Sequence, residues 1–215
     1  MVAGNGPAML AAGAIEEAAR ALQAGDIVGI PTDTVYGLAA DPFRTGAADR
    51  LFVVKRRSRD VDLPVLVADV GQALSLATAV PAIARELMDR LWPGALTIVV
   101  PRRPDLEADL GSDEATVGLR CPDHPVPLAL CRAVGPLATT SANRHGEPPL
   151  TTAAEVVAAF GEAVPLVLDG GTCAGQPSTV VDCTGAEPRL LRAGSVPWSA
   201  VVSAGAGSTA FTKNP

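Results

Sequence analysis

Hydrophobic positions along the chain follow two rhythms. Leu10, Ala14, Ile15, Ala18 and Leu22 recur every three or four residues, the spacing that places apolar side chains on one helix face. Gly25 follows where a left-handed cap would end such a helix. A helix is therefore expected over residues 7–24. Residues 27–30 form instead a short unbroken apolar run, the pattern of a strand buried on both faces. The same reading predicts strands at 65–67, 96–100, 117–120, 137–140, 166–168, 179–181 and 190–192. It predicts helices at 47–54, from a cap at Asp69 to residue 76, at 81–91, at 126–134 and at 152–160. Pro81 suits a first helical turn.

Interleaved helices and strands imply an α/β fold: a twisted mixed β-sheet flanked by helices. No repeat and no Pro/Ser-rich linker divides the chain. One domain is expected over residues 8–202, followed by a small, polar, flexible tail at 203–215.

Composition narrows this picture. With 215 residues and 48% hydrophobic positions, the chain builds one sizeable core and is too apolar for disorder. Its longest apolar run, residues 91–100, is broken by Pro93 and Gly94 and is too short to span a bilayer. Residues 1–24 lack a basic start and carry Glu16 and Glu17, unlike a signal peptide. The 17 Lys and Arg against 23 Asp and Glu give a net charge of −6. This excludes an overall basic nucleic-acid coat but not a local basic pocket. Four cysteines without a C-x-x-C pair, beside two histidines, argue against structural zinc. Buried reduced thiols in a cytoplasmic protein are expected, with a single disulfide left open.

Four polar clusters stand out, three at predicted strand ends, where α/β proteins build sites, and one at the end of the helix predicted at 47–54. Thr32, Asp33, Thr34 and Tyr36 follow the first strand; they suit a small polar ligand, or merely a turn or cap. Lys55-Arg56-Arg57-Ser58-Arg59 gathers four of the 17 cations in five residues. These either complement a helix C-terminus or cradle a polyphosphate. Residues two apart point to different sides of a helix but share a face in extended chain. If Lys55 and Arg57 serve one ligand, the helix must end near Lys55. Thr139, Thr140, Ser141 and Asn143 could hold a nucleotide or an anion, or cap a helix or turn. Ser178 to Asp182 follow a glycine-rich stretch at 170–175, which lacks the Lys-Ser/Thr of a P-loop. Arg120 and Arg192 end two apolar strands, where each either joins the cavity or forms a surface pair. Hydroxyls and cations without an evident general base fit nucleotidyl transfer, in which positioning and charge stabilisation dominate.

Six motifs occur in order: Thr32-Asp33-Thr34-Val35-Tyr36-Gly37-Leu38; Lys55-x-Arg57; Trp92-Pro93-Gly94-Ala95-Leu96-Thr97; Gly118 to Pro125; Ser141-Ala142-Asn143; and Ser178-Thr179-Val180-Val181-Asp182. Together they resemble the YrdC family of L-threonylcarbamoyladenylate synthases, in its short single-domain form. The resemblance implies a large electropositive cavity. It also implies synthesis of L-threonylcarbamoyl-AMP from L-threonine, bicarbonate and ATP with Mg²⁺, releasing pyrophosphate. A separate transferase complex would pass the threonylcarbamoyl group to adenosine 37 of tRNA. Carried over residue by residue, Lys55 and Arg57 would be catalytic and grip the triphosphate, with Arg59 adding charge. Thr116, Ser141, Asn143 and Arg192 would complete the ATP site. Thr32, Tyr36, Arg120, Thr140 and Ser178 would hold threonine, and no protein ligand to metal is implied. Three positions depart from the family pattern: Ser58 for a proline, Ala68 for a histidine, and His145 for a serine. The alternatives are a carbamoyl-adenylate-handling enzyme of the hydrogenase-maturation kind, which normally lies in a much longer chain, and a non-catalytic RNA-binding protein.

Overall fold

The structure, a computed structural model, describes residues 13–144 and 146–205. The first six residues of the expected helix at 7–24, the departure at His145 and residues 206–215 of the expected tail lie outside them.

The helices are α1 (Ala14–Ala24), α2 (Ala47–Lys55), α3 (Val70–Leu74), α4 (Ala82–Leu91), α5 (Pro125–Val134), α6 (Ala153–Phe160) and α7 (Trp198–Gly205). The strands are β1 (Val28–Ile30), β2 (Gly37–Ala40), β3 (Val65–Leu66), β4 (Leu96–Pro101), β5 (Thr116–Arg120), β6 (Leu137–Ser141), β7 (Leu166–Val167), β8 (Thr179–Asp182) and β9 (Arg189–Arg192). They form one mixed sheet in the order β7-β1-β2-β6-β3-β5-β4-β8-β9, as the interleaved pattern predicts.

Local chemistry sets the element ends. Gly25 closes α1 at φ 90°, its N–H reaching the carbonyls of Ala21 and Leu22. The Asp69 carboxylate accepts from Gln72 N at the start of α3. Thr152 and Glu155 form a reciprocal capping box on α6. No helix among the described residues is long and apolar enough to cross a membrane.

Two elements carry no clear sequence signal. β2 reads Gly-Leu-Ala-Ala, without a β-branched residue; it becomes a strand because it is paired on both edges, with β1 and with β6. α7 continues through Ser203 to Gly205, with Val201 and Ala204 buried. Residues 203–205, expected as tail, are therefore helix, held because α7 packs on α4.

Strand alternation divides the core. Leu96, Ile98 and Val100 of β4, Val117 and Leu119 of β5, and Val181 of β8 join the large cluster under α2, α4, α6 and α7. Burying each such side chain stabilises the fold by ~1.5–3 kcal/mol. On the opposite face, α1 and α5 cover Val28, Ile30, Ala39, Leu66 and Leu137. The intervening β4 and β5 residues, Thr97, Val99, Thr116, Gly118 and Arg120, point away from the large cluster. They form the floor of the site, on the part of that face which α1 and α5 leave uncovered.

Candidate active site

Two adjoining cavities open on this floor. The first, of about 230 Å³, is walled by Thr32, Thr34 and Tyr36 from the β1–β2 segment. Arg57, Thr97, Arg120, Thr139, Thr140, Ser141, Ser178 and Arg192 complete its polar lining. The second, of about 360 Å³, is more apolar, with Val61, Leu63, Val99, Leu110, Val180 and Leu191 around Thr116 and Gly118. Arg57, Pro64, Thr97 and Arg192 belong to both. Residues from the ends of most strands of the sheet thus converge.

The loop after α2 explains how Lys55 and Arg57 are placed. The helix ends at Lys55. Arg56 then adopts the left-handed conformation (φ 50°, ψ 41°), and its N–H caps Phe52 and Val53. This turn carries Arg57 out of the helical path, and Arg57 N bonds back to Phe52 O at 2.9 Å. The Arg57 guanidinium donates to Val61 O at 2.7 Å and Asp62 O at 2.8 Å, so its own loop wraps it. One further nitrogen lies 3.5 Å from Thr140 Oγ1. Burial, with Arg192 nearby, holds its pKa below the usual arginine value.

Lys55 is 5% exposed and stands behind the wall rather than in it. Its ammonium donates to Ser141 O at 2.8 Å, to Asn143 Oδ1 at 2.7 Å and to Asn143 O. Ser141 Oγ donates to the same Asn143 Oδ1 at 2.6 Å. The Lys-x-Arg and Ser-Ala-Asn motifs therefore form one unit. Burial, and after it the Arg57 charge, lowers the Lys55 pKa to about 8.

Arg120 is buried and three-way anchored. It donates to Asp33 Oδ1 at 2.5 Å, Thr34 Oγ1 at 3.0 Å and Gly94 O at 3.1 Å. A guanidinium carries five N–H donors; the fork keeps donors for a ligand. Ser178 Oγ shares a hydrogen bond with Thr97 Oγ1 at 2.9 Å and accepts from Arg192 at 3.0 Å. Arg192 also grips Ser178 O.

Thr32 and Tyr36 serve structure as well as lining. Thr32 Oγ1 donates to Val35 O at 2.6 Å and accepts from the N–H of Thr34 and Val35. The segment is thus a turn closed by its own side chain, and the same residues wall the first cavity. Tyr36 OH donates to Gly171 O at 2.9 Å and accepts from Gly170 N, fixing the glycine-rich loop; burial pushes its pKa up to about 12. Thr116 Oγ1 donates to Asp113 in the second cavity.

Arg59 is not brought in. Its guanidinium is held at the surface by Asp49 and Asp109, over the Phe52 ring, and it lines neither cavity. Conversely, Thr34, Thr97 and Thr139 line the first cavity, although the family resemblance gives them no role. Alternation could have found Thr97, a lone hydroxyl among apolar neighbours in β4.

A family model named Sua5/YciO/YrdC, described as telomere recombination, matches residues 20–194. The chain belongs to the Sua5/YciO/YrdC family. A Mycobacterium tuberculosis (strain H37Rv) member is 45% identical over 183 residues, covering 85% of this chain and 84% of that one. The Bacillus subtilis threonylcarbamoyl-AMP synthase is 40% identical over 185 residues, covering 85% of this chain but 54% of its own length. P. abyssi Sua5, whose structure holds L-threonine, superposes with a TM-score of 0.82 at 34% identity, over 88% of this chain and 56% of that one. This Sua5/YciO/YrdC chain thus spans just over half of the longer relatives. Its departures from the motif pattern are accommodated locally. Ser58 Oγ donates to Asp60 at 2.9 Å and accepts from Asp60 N, so a side-chain turn stands where a proline ring would stiffen the loop. Ala68 is buried in the core cluster to which α1 and α5 contribute.

Proposed function

We propose that this chain makes L-threonylcarbamoyl-AMP from L-threonine, bicarbonate and ATP, releasing pyrophosphate. The product would supply the N6-threonylcarbamoyl group of adenosine 37 in tRNA through a separate transferase complex. The observation that carries this reading is the pair of adjoining cavities with Arg57 and Arg192 in their shared wall. One is small and rich in hydroxyls, suiting an amino acid; the other is apolar with an open floor at Gly118, suiting a nucleoside.

In this assignment Arg120 takes the threonine carboxylate, because a planar fork matches a carboxylate. Thr140 and Ser178 bond threonine, while Thr32 and Tyr36 hold its pocket in shape. Arg57 and Arg192 face the phosphates, Ser141 and Thr116 contact the nucleotide, and Lys55 with Asn143 fixes the Ser-Ala-Asn loop while adding charge. Threonine amine and bicarbonate condense to N-carboxythreonine with loss of water. Its carboxylate then attacks the α-phosphorus, and pyrophosphate leaves as the P–O bond breaks. Cations at the shared wall offset the negative charge that grows on the leaving group. Mg²⁺ enters as part of the ATP substrate. Cations and hydroxyls line the walls, and among the described residues no cluster of three His, Cys, Asp or Glu could hold an ion.

The test is pyrophosphate release from ATP and Mg²⁺. Release that requires both threonine and bicarbonate is expected. Threonine-independent release would point to carbamoyl-adenylate handling, and no release with RNA binding would point to a non-catalytic role.

A further inference from the structure

Arg59 lies two residues beyond Arg57, yet its guanidinium is committed elsewhere. It pairs with Asp49 on α2 and with Asp109 on the segment between β4 and β5, and its Cζ sits 4.7 Å above the Phe52 ring. Asp109 itself is on a fixed support. Its backbone N–H donates to Pro42 O at 3.0 Å. The turn before it is gathered by buried Arg102, which donates to Leu106 O at 2.9 Å and Ala108 O at 2.5 Å.

The same segment grips the Arg57 loop at further points. Ser112 donates to Arg59 O through both its N–H and its hydroxyl, each at 3.0 Å. Leu63 N donates to Leu110 O at 2.7 Å, and Asp113 N to Asp62 Oδ1 at 3.2 Å. The carbonyls that hold the Arg57 guanidinium, those of Val61 and Asp62, lie inside this clamped stretch. Between Arg57 and Leu63 the loop contains no regular element, so these bonds decide where its carbonyls stand.

We infer that Arg59 is a positioning residue. The Asp49–Arg59–Asp109 clasp, closed on Phe52, sets the loop register that aims Arg57 at the shared wall of the two cavities. This deepens the proposed synthase reading and rests on it; it places Arg59 in support of the polyphosphate contact rather than in it.

Charge logic separates positioning from a general field effect. Asp109→Asn removes an anion near a site for a polyanion, so field strength alone would tighten ATP binding. Loss of the clasp would weaken it. Steady-state kinetics of pyrophosphate release should show KM for ATP raised in Asp109→Asn and in Arg59→Met by roughly three- to fivefold, the scale of a part-exposed ion pair. KM for threonine should stay unchanged, and the double variant should be no worse than either single one. Arg59→Met keeps an apolar stem on Phe52, and thermal unfolding of both variants reports that they fold. An unchanged or lower KM for ATP in Asp109→Asn overturns the clasp while the wild-type reaction stands. Wild-type protein that releases no pyrophosphate with threonine, bicarbonate and ATP overturns the synthase reading instead.

Discussion

Lys55 Nζ lies 2.7 Å from Asn143 Oδ1 and 2.8 Å from the Ser141 carbonyl, so one buried amine joins two loops that are 86 or more residues apart in the chain. An ammonium has three donors, and these two acceptors with the Asn143 carbonyl use all of them. The lysine therefore shapes the Ser-Ala-Asn loop before any substrate arrives.

This predicts a pH dependence. Burial beside Arg57 lowers the Lys55 pKa to about 8, so above that pH the amine in the free protein loses its proton. Bound triphosphate favours the charged form, so binding takes up a proton there. ATP affinity should be flat below about pH 8 and fall as pH rises above it, by at most about tenfold per unit. Calorimetry in two buffers of different ionisation enthalpy would detect the proton. The sign for the unliganded fold is opposite. The folded chain binds fewer protons than the unfolded one between about 8 and the ordinary 10.5, so this group's destabilisation is full below the window and relieved through it.

Arg120→Lys should weaken threonine binding by roughly 10- to 100-fold, the scale of charge-assisted hydrogen bonds. ATP binding should change less than about twofold, because additivity holds between sites without shared partners. Titration calorimetry with each substrate separately would show the split. Equal losses for both would mean that the buried Asp33–Arg120 pair holds the fold rather than the amino acid.

Gly118→Leu tests the division into two cavities. A Cβ there would lie 3.5 Å from Thr97 Cγ2, an ordinary van der Waals distance, so the strand should accept it. The remaining atoms would occupy the apolar cavity. KM for ATP should rise at least about tenfold, the scale on which an apolar pocket discriminates by fit, with threonine binding retained.

Arg56→Gly should stabilise the protein. A side chain at φ 50° costs ~1–2 kcal/mol, which glycine avoids at an entropic cost of ~0.5–1 kcal/mol. A net gain of about 0.5–1 kcal/mol corresponds to a Tm about 1–4 °C higher by calorimetry.

Much of this site can be read from residue types and their order, because hydroxyls and cations at strand ends are conspicuous against an apolar chain. Periodicity also located most strands and helices, since Ile27–Ile30 and the α4 and α6 stripes are core-facing. What it missed depends on partners distant in sequence. β2 is ordered by β1 and β6, not by its own Gly-Leu-Ala-Ala sequence. The destination of Arg59 could not be read from the run of basic residues, because Asp49 and Asp109, the carboxylates that capture it, lie 10 and 50 residues away. Likewise, the resemblance places Lys55 among the phosphate ligands, while its first commitment is to the backbone of a neighbouring loop.

The floor formed by Thr97, Thr116, Gly118 and Arg120 is the part of the sheet without a helical cover. In the proposed reaction the substrates themselves supply that cover and act as a removable third layer. Ligand at about a hundred times its dissociation constant adds ~2.7 kcal/mol to the folded state. Scarcity of threonine or ATP would then slow the reaction and also leave the chain more open to proteolysis, tying its lifetime to the metabolites that it consumes.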